Sequence, residues 1–153
     1  MARPVMMLPK SWRRARTTGR RHPMGITHVA AEVYRPDGSG PRIAVTMLVD
    51  SGAIYSLLPA DVWRPLALAP RRQVDFSLAD GSRITRGVSE CSFEIEGVAA
   101  TSPVVLGESD EGPLLGAVTL ETLGLVLSPL TRRLVPMRHV LAALPPAFEH
   151  AGR

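Results

Sequence analysis

Hydrophobic and polar positions change their pattern abruptly near residue 24. Before it, Met1 to Pro23 shows no apolar repeat of either strand or helix period. After it, "THVAAEVY" and "PRIAVTMLVD" are apolar, β-branched stretches separated by "RPDGSG", whose Pro-Asp-Gly favours a turn, and together they predict a hairpin. "DSGAIYSLLP" continues as a turn and a short strand, and "ADVWRPLAL" holds one or two helical turns before Pro65 interrupts them. "VDFSLADGSRIT" places Asp80-Gly81 between Phe76/Leu78 and Ile84, a two-residue hairpin signal because both turn positions tolerate positive φ. In "CSFEIEG", Cys91, Phe93 and Ile95 alternate with Ser92, Glu94 and Glu96, so one face is expected to be buried and the other wet. "SPVVLGE" reads as a further strand.

The best helix is "AVTLETL" at 117–123, preceded by Gly116 and followed by Gly124 where a left-handed C-cap is common. "LVLSPLTRRLVPM" resumes strand character as a hairpin around Pro129 to Arg132, and the alanine- and proline-rich tail beyond His139 carries no clear period. Many short strands, Asp-Gly turns and one short helix predict a mostly-β protein, a small closed or folded barrel.

Charge sharpens the boundary. Residues 1–23 hold seven basic side chains and no acid, which leaves eleven basic against fourteen acidic residues from Met24 onward, a net −3. The expected organisation is therefore a disordered, solvated basic arm over 1–23, dispensable or absent if translation begins at Met24. A barrel domain over 24–140 and a flexible tail over 141–153 follow. No apolar run approaches the ~20 residues that cross a bilayer. "PVMML" is too short for a secretory core and precedes most of the positive charge, so a cytoplasmic protein without an export signal or membrane partner is expected. A single cysteine, Cys91, excludes an intrachain disulfide and reads as a small buried side chain.

One acid stands out. Asp50 ends the apolar run Val45, Met47, Val49, where a carboxylate is costly to desolvate and so must be paired, solvated or functional. Ser51 and Gly52 allow a tight turn directly off the strand, with a hydroxyl and backbone amides able to bond the carboxylate. Taken alone, Asp-Ser-Gly is a common turn tripeptide and a structural Asx turn explains it.

The order "LVDSGAIYSLLP", then "FSLADGS", then "GPLLGAVTLETLGLVL" resembles the retropepsin-like aspartic proteases in their bacterial single-domain form. The resemblance spans about Ile26 to Met137. It implies that Asp50, Ser51 and Gly52 form the catalytic loop, with Ser51 bonding across a subunit interface and Gly52 donating its amide to the carboxylates. Ala53 and a β-hairpin flap at Ala79, Asp80, Gly81 and Ser82 would contact substrate, and Leu115 and Gly116 would pack behind the loop. Peptide hydrolysis of this kind needs two carboxylates sharing one proton: the ionised one takes a proton from water while the neutral one hydrogen-bonds the scissile carbonyl. The chain has no second Asp-Ser/Thr-Gly, so the resemblance implies a twofold homodimer acting on a polypeptide substrate without a cofactor. Viral members of the family follow the apolar-apolar-Gly element with an arginine and an acid or amide, where Ala117-Val118 stands here.

Other chemistries find little footing. His22, His28, His139 and His150 show no i,i+4 pair and no Cys or acid at ligand spacing, so no metal is expected. No Gly-x-Ser-x-Gly elbow is present, and Gly38-Ser39-Gly40 is turn material. Two rivals stand beside the peptidase: a catalytically silent domain of the same fold that binds peptides or dimerises, and, more weakly, a nucleic-acid-binding arm carried on a dimeric barrel.

Overall fold

The computed structural model describes the backbone of Val5–Met7 and all of residues 25–138. Its elements are β1 (Val5–Met7), β2 (Thr27–Tyr34), β3 (Ile43–Val49), β4 (Ser56–Leu58), α1 (Ala60–Trp63), β5 (Arg72–Ser77), β6 (Arg83–Ile95), β7 (Val98–Leu106), β8 (Leu114–Leu115), α2 (Ala117–Thr122), β9 (Leu125–Leu127) and β10 (Leu134–Pro136). Strands β6, β2, β3, β8, β4 and β7 are hydrogen-bonded in that order, and β6 pairs with β7 to close the ring. The protein is thus mostly β, a six-stranded closed barrel. Closure removes the free edges that a small open sheet would expose.

Alternation drives the wall. Along β3, Val45, Met47 and Val49 point inward and are buried, while Ala44 and Thr46 are exposed. The main core gathers Val33, Met47, Leu58, Leu66, Phe93 and Leu115, all fully buried, and α2 closes over it with Leu120. Trp63 lies against this core and donates its indole N–H to the Gly107 carbonyl (2.8 Å), so the one-turn helix α1 is held by a packed ring although Pro65 keeps it short. Among the described residues α1 is thus the helical turn expected before Pro65, beside the longer α2. Ser92, expected on the wet face, is buried, and its hydroxyl lies 2.8 Å from Thr101 Oγ1 on the neighbouring strand.

Strand β6 has two successive partners within one sheet. Its first half, Arg83 to Val88, pairs with β5, and its second half, Val88 to Ile95, pairs with β7. The β5–β6 hairpin is therefore a projection of a barrel strand. Its turn differs from the one expected: Gly81 alone has positive φ (83°), Gly81 N–H donates to Leu78 O (2.9 Å), and Leu78 N–H donates to Ser82 O (2.7 Å). This is a three-residue loop closed by a glycine bulge. The two-residue turn with both φ positive occurs instead at Glu96 (51°) and Gly97 (81°), between Ile95 and Val98.

The hairpin expected at the end of the domain is present as β9 and β10, paired antiparallel around residues 128–133. One strand lies inside the stretch expected to be an unstructured arm: β1 runs parallel to β5. The remainder of 1–23, the tail 141–153 and three of the four histidines lie outside the described residues. Among the described residues no helix is long and apolar enough to cross a membrane.

Candidate active site

The chain reaches Asp50 from β3, and β8 fixes where it stops. Leu48 N–H donates to Pro113 O (3.0 Å) and Asp50 N–H to Leu115 O (3.0 Å), continuing the parallel ladder that pairs Leu48 with Leu114 and Val49 with Leu115. Beyond this point the chain turns: Ala53 N–H bonds back to Asp50 O (3.1 Å), and Gly52 N–H donates to Asp50 Oδ1 (2.9 Å). A Cβ on Gly52 would lie 3.2 Å from that oxygen, so glycine gives the amide its clearest approach. Asp50 is half-buried, and Ser51 and Gly52 are exposed. The carboxylate is thus presented at the surface while its loop is anchored to buried strands.

A second layer holds the loop from behind. The first amides of a helix have no intrahelical acceptor and need partners elsewhere. In α2, Ala117 N–H donates to Ala53 O (2.7 Å) and Val118 N–H to Ile54 O (3.0 Å), so the loop itself satisfies the start of the helix. Gly116 N–H donates to Ser56 Oγ (3.0 Å), which lies 2.6 Å from Thr119 Oγ1; Ser102 Oγ is 2.9 Å from the same Thr119 oxygen. All three hydroxyl residues are buried. A Cβ at Gly116 would meet the Tyr55 carbonyl carbon at 2.5 Å and its oxygen at 2.6 Å, a backbone approach only glycine permits. Main-chain bonds here join loop and helix, which leaves the side chains at Ala117 and Val118 free to be small and apolar.

The β5–β6 hairpin packs on the same loop. A second core cluster unites Ala53, Leu57 and Leu114 from the loop's surroundings with Val74, Phe76 and Val88 of the hairpin, and Tyr55 and Ile84 lie against it. Arg72 Nη2 donates to the Tyr55 hydroxyl (2.6 Å), a second link between the hairpin's base and the residues after Asp50. The tip, Ala79 to Ser82, is exposed, and its turn is stiffened by Asp80 Oδ1 accepting from Ser82 N–H (2.9 Å). Another bridge spans β6 and the loop before β8: Arg86 Nη2 lies 2.9 Å from Glu111 Oε1, and Glu111 Oε2 accepts from Glu108 N–H (2.8 Å).

The structure therefore brings Asp50, Ser51, Gly52, Ala53, Leu115 and Gly116 together in one loop and its backing. The hairpin's tip residues Ala79, Asp80, Gly81 and Ser82 connect to that loop through their apolar base. Sequence reasoning missed Ser56, Thr119 and Ser102. Ser56 inside the otherwise apolar "SLLP" was the available signal, since a buried hydroxyl needs a partner, whereas "AVTLETL" holds two hydroxyls, Thr119 and Thr122, and does not single out the buried one. Among the described residues no group of His, Cys, Asp and Glu could hold a metal ion.

No family model matches the sequence, and no curated protein matches it. Similar solved structures include the simian foamy virus (mac) protease in solution, 16% identical, with a TM-score of 0.46 over 62% of this chain and 92% of that one. The EIAV protease complexed with the inhibitor HBY-793 is 13% identical, with a TM-score of 0.49 over 79% of this chain and 98% of that one. Likenesses of that size decide nothing about chemistry, which rests on the Asp50 loop.

Proposed function

We propose that the protein is a retropepsin-like aspartic endopeptidase that acts as a homodimer, with Asp50 of each subunit supplying one carboxylate. The observation that carries this reading is the construction of the loop. Asp50 ends a core strand, accepts the amide of Gly52, and is backed by main-chain bonds from β8 and α2. A rigid mount of this kind suits an acid that must hold a water and a carbonyl within hydrogen-bond reach. Two such acids about 3 Å apart would share one proton, the charged one taking a proton from water while the neutral one hydrogen-bonds the scissile carbonyl.

The surface beside the loop supports the dimer. Ile54 is 49% exposed and Ile26 44%, and Ile26 stands one step beyond the Thr27–Val49 pair, level with Asp50. A twofold contact through the Asp50 loops would cover both isoleucines along with the exposed Ser51 and Gly52. Substrate would enter as an extended strand between this surface and the β5–β6 hairpin, adding main-chain hydrogen bonds that tolerate many sequences.

The test is cleavage of an unfolded protein between pH 3 and 7 by the unaltered chain, by Asp50→Asn, and by mixtures of the two. Activity is expected to vanish in pure Asp50→Asn and to fall in mixtures as heterodimers form. Activity surviving in pure Asp50→Asn overturns the assignment. A folded dimer inert across the whole range would mark the protein as the silent, peptide-binding form of the fold.

A further inference from the structure

Strand β5 is the outer strand of the hairpin, and one of its edges is taken by β6. The other edge would present an open row of amides and carbonyls, a template for any extended chain. Here it is covered by the protein's own Val5–Met7, which runs parallel to it with Val5 level with Asp75, Met6 with Phe76 and Met7 with Ser77.

The hydrogen-bonding sense of this pair follows from the hairpin. Leu78 N–H donates to Ser82 O, and the same register continues through Ser77–Arg83 and Phe76–Ile84. Main-chain groups alternate sides along a strand, so Val74 and Phe76 face β6, while Gln73, Asp75 and Ser77 face outward. In a parallel ladder centred on Met6 and Phe76, Met6 is then the residue that joins β5. Its N–H serves the Asp75 carbonyl, and its carbonyl serves the Ser77 N–H. Pro4 and Pro9 bracket the run Val5-Met6-Met7-Leu8. Proline favours an extended residue before it and supplies no ladder donor, so the sequence itself confines the strand to a few residues.

We infer that the outer edge of β5 is a docking site for an extended, uncharged peptide strand, and that Val5–Met7 is its occupant in cis. Resting on the aspartic-peptidase reading, the consequence is regulatory. The N-terminal strand ties down the hairpin and competes with peptide for its main-chain groups, so its displacement raises activity.

The experiment uses the full chain. Met6→Pro removes the facing donor, and Met6→Ala keeps it. Ser77 amide exchange is expected to be at least about tenfold faster in Met6→Pro than in the unaltered chain and unchanged in Met6→Ala, with Val45 to Val49 exchanging alike in all three. The blocked pentapeptide Pro-Val-Met-Met-Leu, added to Met6→Pro, should slow Ser77 again in a saturable manner, and Met6→Pro should cleave unfolded protein faster. Equal Ser77 exchange in the unaltered chain and Met6→Pro overturns the docking site, as does a pentapeptide without effect. Faster exchange in Met6→Pro without cleavage by any form keeps the docking site and removes the peptidase reading, so the two failures are distinguishable.

Discussion

Thr119 Oγ1 lies 2.6 Å from Ser56 Oγ, and this buried pair joins α2 to β4 directly behind the Asp50 loop. The Ser56 oxygen also accepts the Gly116 amide. Replacing Ser56 by alanine therefore strands the buried Gly116 N–H, while Thr119 keeps its contact with Ser102, and should destabilise the fold by about 1–3 kcal/mol. Thr119→Val leaves the Gly116 bond intact and should cost less. Denaturant unfolding of both single variants and the double variant measures the coupling; additive costs would show that the hydroxyls act independently.

Gly116→Ala places a methyl group within 2.6 Å of the Tyr55 carbonyl. Backbone cannot yield as a side-chain end can, so β4 and α2 must separate. Overpacking of this kind costs about 1–3 kcal/mol. Because the Ala117 and Val118 amides hold the Asp50 loop, any peptidase activity should fall further than the lost stability explains. Thermal melting alongside assays well below the melting temperature separates the two effects.

Arg86 and Glu111 keep only 18% and 11% of their side-chain surface exposed, and Arg86 Nε is buried with no partner among the described residues. Removing one charge leaves the other largely desolvated. Glu111→Leu should destabilise the protein by somewhat less than the ~3–5 kcal/mol of a fully buried pair, since both groups retain some solvent. Arg86→Met together with Glu111→Leu should recover much of that loss. Unfolding midpoints of the single and double variants decide it, and a double variant no better than the single would mean that the ion pair is not the source of the effect.

Gly81 holds the left-handed position of the hairpin tip at φ 83°. A Cβ there meets no atom within 4 Å, so the penalty for Gly81→Ala is purely conformational, about 1 kcal/mol. Gly81→Asn should cost less because asparagine visits this region more readily. Comparing melting temperatures of the two variants checks the bulged turn; equal losses would contradict it.

Burial pushes the Cys91 thiol up to about 12, and its S–H donates to the Tyr34 carbonyl (3.3 Å), a bond that only the protonated form makes. The folded chain thus keeps a proton that the unfolded chain releases near its ordinary value of about 8.5–9. This contribution to stability is complete below pH ~8.5 and is lost as pH rises from there towards 12. Native protein should resist alkylation by iodoacetamide at pH 8, while protein in denaturant reacts readily. Rapid native labelling would show that the strand carrying Cys91 opens.

The sequence by itself determined the strands and the acid. Val45, Met47 and Val49 alternate at the strand period, so β3 is legible, and its end at Asp50-Ser51-Gly52 is marked by the change from branched apolar to small polar residues. Gly116 and Gly124 bracketed α2 for the same local reason. Tertiary structure decided where those elements meet. A hydroxyl such as Ser56 carries no trace in the sequence of the Thr119 oxygen sixty-three residues away that satisfies it. Turn residues were likewise ambiguous: Asp80-Gly81 and Glu96-Gly97 both suit a two-residue turn, and barrel register gave that turn to the second and a bulged loop to the first. β1 is the plainest case. No strand-period repeat within 1–23 predicts β1, because an isolated three-residue segment cannot repay its ordering entropy, and the edge of β5 supplies the hydrogen bonds that hold Val5–Met7 extended.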